Sequence, residues 1–157
     1  MKATGIVRRI DDLGRVVIPK EIRRTMRIRE GDPLEIYTTR DGEVIFKKYS
    51  LISGLEDFAA QFCDTLARST DFTAAVTDRD AVIAIAGAGK RELLGKRVSV
   101  ELERIMGERG VYCGPGVAVS DENGQFRVTV AAPILCEGDV LGAVLFLSAD
   151  GRTGGET

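Results

Sequence analysis

The chain has 157 residues, 44% of them apolar and 29% charged, with a net charge of −2, the make-up of an ordinary globular protein. It holds no apolar run of membrane-spanning length, and its start, MKATGIVRRIDD, turns acidic where a signal peptide needs its apolar core, so a cytoplasmic protein is expected. Histidine is absent, and Cys63, Cys113 and Cys136 stand far apart with no CxxC, which removes the commonest general base, the commonest metal ligand and any disulfide framework; no metal, no cofactor and no enzymatic activity are expected.

In chain order, residues 4–10 read as a first strand. Asp11-Asp12-Leu13-Gly14 has turn chemistry, with Gly14 free to take a positive φ. The β-branched residues 15–18 read as a second strand, and Pro19 suits the first turn of a helix over 20–27. In that helix Ile22 and Met26 share one face, while Arg23, Arg24 and Arg27 point away from it. Strands over 34–39 and 43–48 meet across Arg40-Asp41-Gly42, where Asp-Gly is a strong hairpin signal.

Residues 49–52 read as a linker. Ser53-Gly54-Leu55-Glu56 has the pattern of a capping box, and Leu55, Phe58, Ala59, Phe62 and Leu66 give helical spacing over 54–69. Strands over 72–77 and 81–86 flank the turn Asp78-Arg79-Asp80. Short helices over 90–94 and 100–108 follow, then strands over 116–120, 125–133 and 140–148. Five strands with inserted helices make an α+β domain over residues 51–148, after a first domain over 1–50. Residues 149–157, small and polar, read as a disordered tail.

Charge is unevenly spread. Residues 1–50 carry 12 Lys/Arg against 8 Asp/Glu, hence +4, and residues 51–157 carry 10 against 16, hence −6. A basic head on an acidic body suggests a polyanion partner for the head alone, although a merely solvated basic face would give the same composition. The head also has little core. A fifty-residue unit is marginal without a staple, and disulfides and metals are not available to it. Two copies interleaving their hairpins would bury Val16, Val17, Ile18, Ile22, Met26, Leu34 and Ile36, leaving the arginines outside.

GIVRRIDDLGRVVIPKEIRRTMRIREGD, within a match running from Met1 to about Tyr49, resembles the swapped-hairpin DNA-binding domain of the AbrB-like transition-state regulators. The resemblance implies a homodimer whose strands and short helices interleave into one all-β barrel, with double-stranded DNA as the partner and a nucleoid-associated, transcription-regulating role of the sporulation and transition-state type. Carried over by motif, it implies Arg8, Arg15, Arg23 and Arg24 as DNA contacts, with Arg9, Lys20 and Arg27 as further candidates. Regulators of this family with a second domain carry a GAF-type, PAS-like sensory fold there. DRDAVIAIAGAGK and APILCEGDVLGAVLFLS support it here, and it implies an unidentified small-molecule effector or partner and pairing of dimers into tetramers. The family pattern continues after Ser148 with a long helix packed on the linker helix; ADGRTGGET stands here instead, so the helix over 54–69 is expected to lack that partner and the tetramer stays open.

Rival readings attach to particular residues. Swapped hairpins also occur in antitoxins, which makes a protein-interaction module the second reading. Some GAF-like proteins reduce free methionine sulfoxide with cysteines, and Cys113, in an expected flexible loop Tyr112-Cys113-Gly114-Pro115-Gly116, is the more reactive thiol beside Cys136; core or loop thiols explain both as well. Gly87-Ala88-Gly89-Lys90-Arg91 fails the phosphate-loop pattern at both ends, at Ala84 and Arg91, and reads as a strand-to-helix loop.

Overall fold

The computed structural model describes residues 2–52 and 54–149. The chain divides into two compact units, Met1–Tyr49 and Ser50–Thr157.

In the first unit, residues 2–19 carry no helix or strand. The two strands expected over 4–10 and 15–18 are not formed. The backbone bonds that join these segments lie at the turn alone, where Asp11 N–H donates to the Arg15 carbonyl at 3.0 Å and Gly14 N–H to the Asp11 carbonyl at 3.1 Å, so no ladder builds on it. Gly14 takes the positive φ of 76° that this turn requires. Helix α1, Lys20–Met26, starts after Pro19, whose ring fixes φ at −58°. It ends where Arg27 adopts a left-handed φ of 53° and Ile28 N–H returns to the Arg23 carbonyl at 2.8 Å. None of its residues is buried. Strands β1, Leu34–Thr38, and β2, Val44–Lys48, pair antiparallel from Leu34↔Lys48 to Thr38↔Val44.

The second unit is built on five antiparallel strands, β3 (Thr73–Asp78), β4 (Val82–Ala86), β5 (Tyr112–Ser120), β6 (Asn123–Cys136) and β7 (Asp139–Ala149), in spatial order β4-β3-β7-β6-β5. The three later strands are longer than the sequence suggests. Alternation assigns the two faces. Ala74 and Val76 of β3, with Val144 and Phe146 of β7, meet helix α2, Glu56–Ser69, through its Ala59, Cys63 and Leu66. Ala75, Ala143, Leu145 and Leu147 face the opposite way, toward Leu93 of α3 (Lys90–Leu93) and Leu102, Ile105 and Met106 of α4 (Val100–Gly107). Ser99 caps α4, accepting from Leu102 N–H at 3.0 Å and donating to the Ala118 carbonyl at 2.7 Å.

The capping-box serine, Ser53, lies outside the described residues, and α2 begins from Leu55 with no side-chain cap. Small residues of helix α2 seat it on β3 and β4; Phe58 and Phe62, stacked at 6.5 Å on its other side, are exposed, and the residues after 149, on which the expected lack of a covering helix turns, lie outside the described residues. Cys113 sits in strand β5 rather than in a loop, just before a register shift that accommodates Gly114-Pro115-Gly116. Of the tail expected over 149–157, Ala149 belongs to β7 and residues 150–157 lie outside the described residues.

Candidate nucleic-acid interface

The seven basic residues singled out above fall on three pieces of the first unit. Arg8 and Arg9 lie on the exposed arm before the turn. Among the described residues Arg8 makes one long contact, from Nη1 to the Val7 carbonyl at 3.5 Å.

Arg15 follows the turn and is held by it. Asp11 Oδ1 accepts from the backbone N–H of Leu13 at 3.0 Å and of Arg15 at 2.8 Å, while Oδ2 accepts from Arg15 Nε at 2.8 Å. The Arg15 backbone N–H, and then its guanidinium, hold the Asp11 carboxyl below its ordinary value. The Arg15 side chain is still 70% exposed.

Helix α1 brings Lys20, Arg23 and Arg24 together, since positions three and four apart share a face. Arg23 Nε donates to the Ile18 carbonyl at 3.0 Å, which ties the helix face to the segment that carries Arg15. The two arginines in the last turn also sit favourably against the negative end of the helix. Arg27 does not belong to this face. It forms the left-handed C-cap, and Lys48 Nζ donates to its carbonyl at 2.9 Å.

The apolar residues interleaved with these cations stay in solvent within the single chain. Val7 is 84% exposed, Val17 69% and Ile36 62%, and Ile10, Val16, Met26 and Phe46 are exposed as well. Asp11 is the site residue that the sequence reading missed, because an Asp-x-x-Gly turn explains it fully. Its spacing to Arg15, four residues across a turn, was the available signal.

Other candidates find structural explanations. Gly89, opening α3, has a φ of 91°, and a Cβ there would meet the ring of Phe126 at 2.7 Å, so packing accounts for the glycine-rich loop without a phosphate. Asp78 Oδ1 accepts the N–H groups of Asp80 and Ala81, each at 2.8 Å, closing the β3–β4 turn. Cys63 is buried, whereas Cys113 and Cys136 are exposed on separate strand ends. Among the described residues no group of three or more His, Cys, Asp or Glu could hold a metal ion, and no helix is long and apolar enough to cross a membrane.

Comparison with known proteins adds the following. Residues 54–157 match the family described as "Stage V sporulation protein T C-terminal, transcription factor". Residues 7–51 match "Antidote-toxin recognition MazE, bacterial antitoxin". The chain is 52% identical to stage V sporulation protein T of Bacillus subtilis (strain 168), over 98% of its own length and 89% of that protein. Over 31% of its length it is 63% identical to the transition state regulatory protein AbrB of the same organism, of which it covers half. A solved structure, the N-terminal DNA recognition domain of the Bacillus subtilis transition-state regulator AbrB, is 60% identical over 32% of this chain and 92% of that one, with a TM-score of 0.27.

Proposed function

The chain belongs to the stage V sporulation protein T family of transcription factors, and we propose that it regulates transcription by gripping double-stranded DNA through a dimer of its first unit. The observation that carries this reading is the arm over residues 4–18. It folds back at the turn over 11–15, carries no helix or strand, and exposes Val7, Ile10, Val16 and Val17 beside Arg8, Arg9 and Arg15. Exposed β-branched residues on unpaired backbone are a poor end state for a soluble chain. A second copy that pairs with these segments satisfies the backbone and covers the apolar side chains, and the swapped-hairpin barrel of the AbrB-like regulators is such an arrangement. The cations then lie outside, doubled across the two-fold axis.

Arg8, Arg15, Arg23 and Arg24 are the proposed principal contacts, with Arg9, Lys20 and Arg27 behind them. Guanidinium forks match phosphate oxygens, and α1 is too short to act as a reading helix in the major groove. Phosphate contacts and DNA shape therefore dominate over base readout. The second unit fits a GAF-like sensory role, in which an effector or partner binds one arrangement of the heads better than another. The family is one of transcription factors rather than enzymes, and the cytoplasm, on the nucleoid, is the proposed location.

The test is DNA affinity against salt for the full chain. Four arginines per copy give eight per dimer, and a log–log slope steeper than about −5 is expected. A flat slope, or undiminished binding by Arg8→Ala combined with Arg23→Ala, contradicts the reading. The match of residues 7–51 to an antitoxin family supports a second reading as a protein-interaction module. A tight complex with a protein partner that survives high salt, together with absent DNA binding, favours it.

A further inference from the structure

We infer that Asp11 is a positioning residue for the Arg15 phosphate contact: its carboxylate clamps Nε and the backbone of that arginine, so that the two Nη groups meet the DNA in one orientation. The inference rests on the reading of Arg15 as a DNA contact.

Asp11 makes three contacts with two oxygens. Oδ1 takes the backbone N–H of Leu13 and of Arg15, and Oδ2 takes Arg15 Nε at 2.8 Å. The backbone closes the same loop from the other side, with Asp11 N–H on the Arg15 carbonyl. Arg15 is therefore fixed at both ends, at its Cα by two backbone bonds and at its guanidinium by Nε. An isolated exposed ion pair would hold so mobile a side chain only weakly. Here the carboxylate is itself fixed by the turn, so the side chain is ordered before DNA arrives and less freedom is lost on binding.

The donor count favours an anion on the far side. A guanidinium has five N–H bonds, of which Nε carries one. The clamp uses that one and leaves the four on Nη1 and Nη2, the pair of groups that forms a bidentate fork on a phosphate. Arg23 repeats the device with a different acceptor, the Ile18 carbonyl at 3.0 Å on its Nε. Two of the four principal arginines are thus anchored through the same atom.

Electrostatics pulls the opposite way, which makes the sign of the effect diagnostic. The carboxylate cancels the long-range attraction of Arg15 and repels a nearby phosphate. If Asp11 acted only as a charge, removing it from both copies would tighten DNA binding and steepen the salt slope by about two. If it positions Arg15, removing it weakens binding despite the gain in net positive charge. Asp11→Asn suits the test, because its carbonyl oxygen still serves the Leu13 and Arg15 N–H groups and keeps the turn, while its amide presents a donor to Nε and breaks the clamp.

The experiment is fluorescence anisotropy of the full-length protein on a labelled mixed-sequence duplex of about 30 base pairs, across a salt series, for the parent, D11N, R15A and D11N/R15A. D11N is expected to weaken binding about fivefold in the parent and to add nothing in the R15A background. Tighter binding by D11N assigns it a screening role and overturns the inference. An equal loss in both backgrounds assigns Asp11 to the turn scaffold alone and overturns it as well. Parent-like binding by R15A removes Arg15 from the DNA contacts, which overturns the underlying reading whatever D11N does.

Discussion

Replacing Gly142 with alanine aims a methyl group of β7 at the backbone of β3. A Cβ at this position would strike the Thr77 carbonyl oxygen, with the Thr77 carbonyl carbon at 2.8 Å and Asp78 Cα at 2.9 Å. All three atoms are backbone, so no side chain can rotate away. Relief requires β3 and β7 to part at the pairs Thr77↔Ala143 and Asp78↔Gly142. Losing about two ladder hydrogen bonds at about 1 kcal/mol each, plus about 1–3 kcal/mol of overpacking, gives a cost of about 3–5 kcal/mol. That is a large share of a stability of about 5–15 kcal/mol. Gly138→Ala is the control, since Gly138 has a φ of 86° but nothing within 4 Å of its missing Cβ; only backbone strain of about 1 kcal/mol is expected there. Urea unfolding of the full chain, followed by far-UV circular dichroism, reads both. A G142A loss below about 1 kcal/mol, or one equal to that of G138A, refutes the steric argument.

Val17→Asp should be nearly silent if Val17 stays in solvent, within about 0.5 kcal/mol. If a second copy covers it, the variant dissociates in sedimentation and loses at least about tenfold in DNA affinity. Burial pushes the Cys63 thiol up from 9.0 to about 11, so the folded chain keeps a proton that the unfolded chain releases from about pH 9 upward. Its contribution is therefore complete below about pH 9 and falls as pH rises, by about 1 kcal/mol at pH 10. Urea midpoints at pH 8 and 10 should show that fall, and Cys63→Ala should flatten it. A thiol reagent should modify exposed Cys113 and Cys136 quickly and Cys63 only on unfolding.

The second unit was legible in the sequence because its signals are local. Continuous apolar runs such as Ala74-Ala75-Val76 and Ala143-Val144-Leu145-Phe146 mark strands buried on both faces, and Asp78 announces a turn through its own side chain. Strand ends were less legible: β5 begins at Tyr112, four residues earlier than expected, because neighbouring β6 extends the ladder past what Gly114-Pro115-Gly116 suggests. In the first unit the pattern of Val16, Val17 and Ile18 says strand, but strand is a property of two segments, and no described segment of this chain pairs with them. Arg15 was visible as a cation, whereas the role of Asp11 was hidden behind a sufficient explanation as a turn residue.

Amide hydrogen exchange over residues 4–18 of the full-length protein tests the central claim most directly. Within one chain these amides have the turn bonds of Asp11, Leu13, Gly14 and Arg15, an exposed 3.3 Å bond from Ile6 N–H to Thr4 Oγ1, and no strand ladder, so a lone copy leaves the remainder to exchange almost as fast as a free peptide. The account predicts slow exchange from Ile6 to Ile10 and from Val16 to Ile18 at micromolar protein, lost on dilution and in V17D. Free-peptide exchange in a preparation that still binds DNA with a steep salt slope would contradict it, because the arm would then carry its arginines to DNA with no second copy to build on.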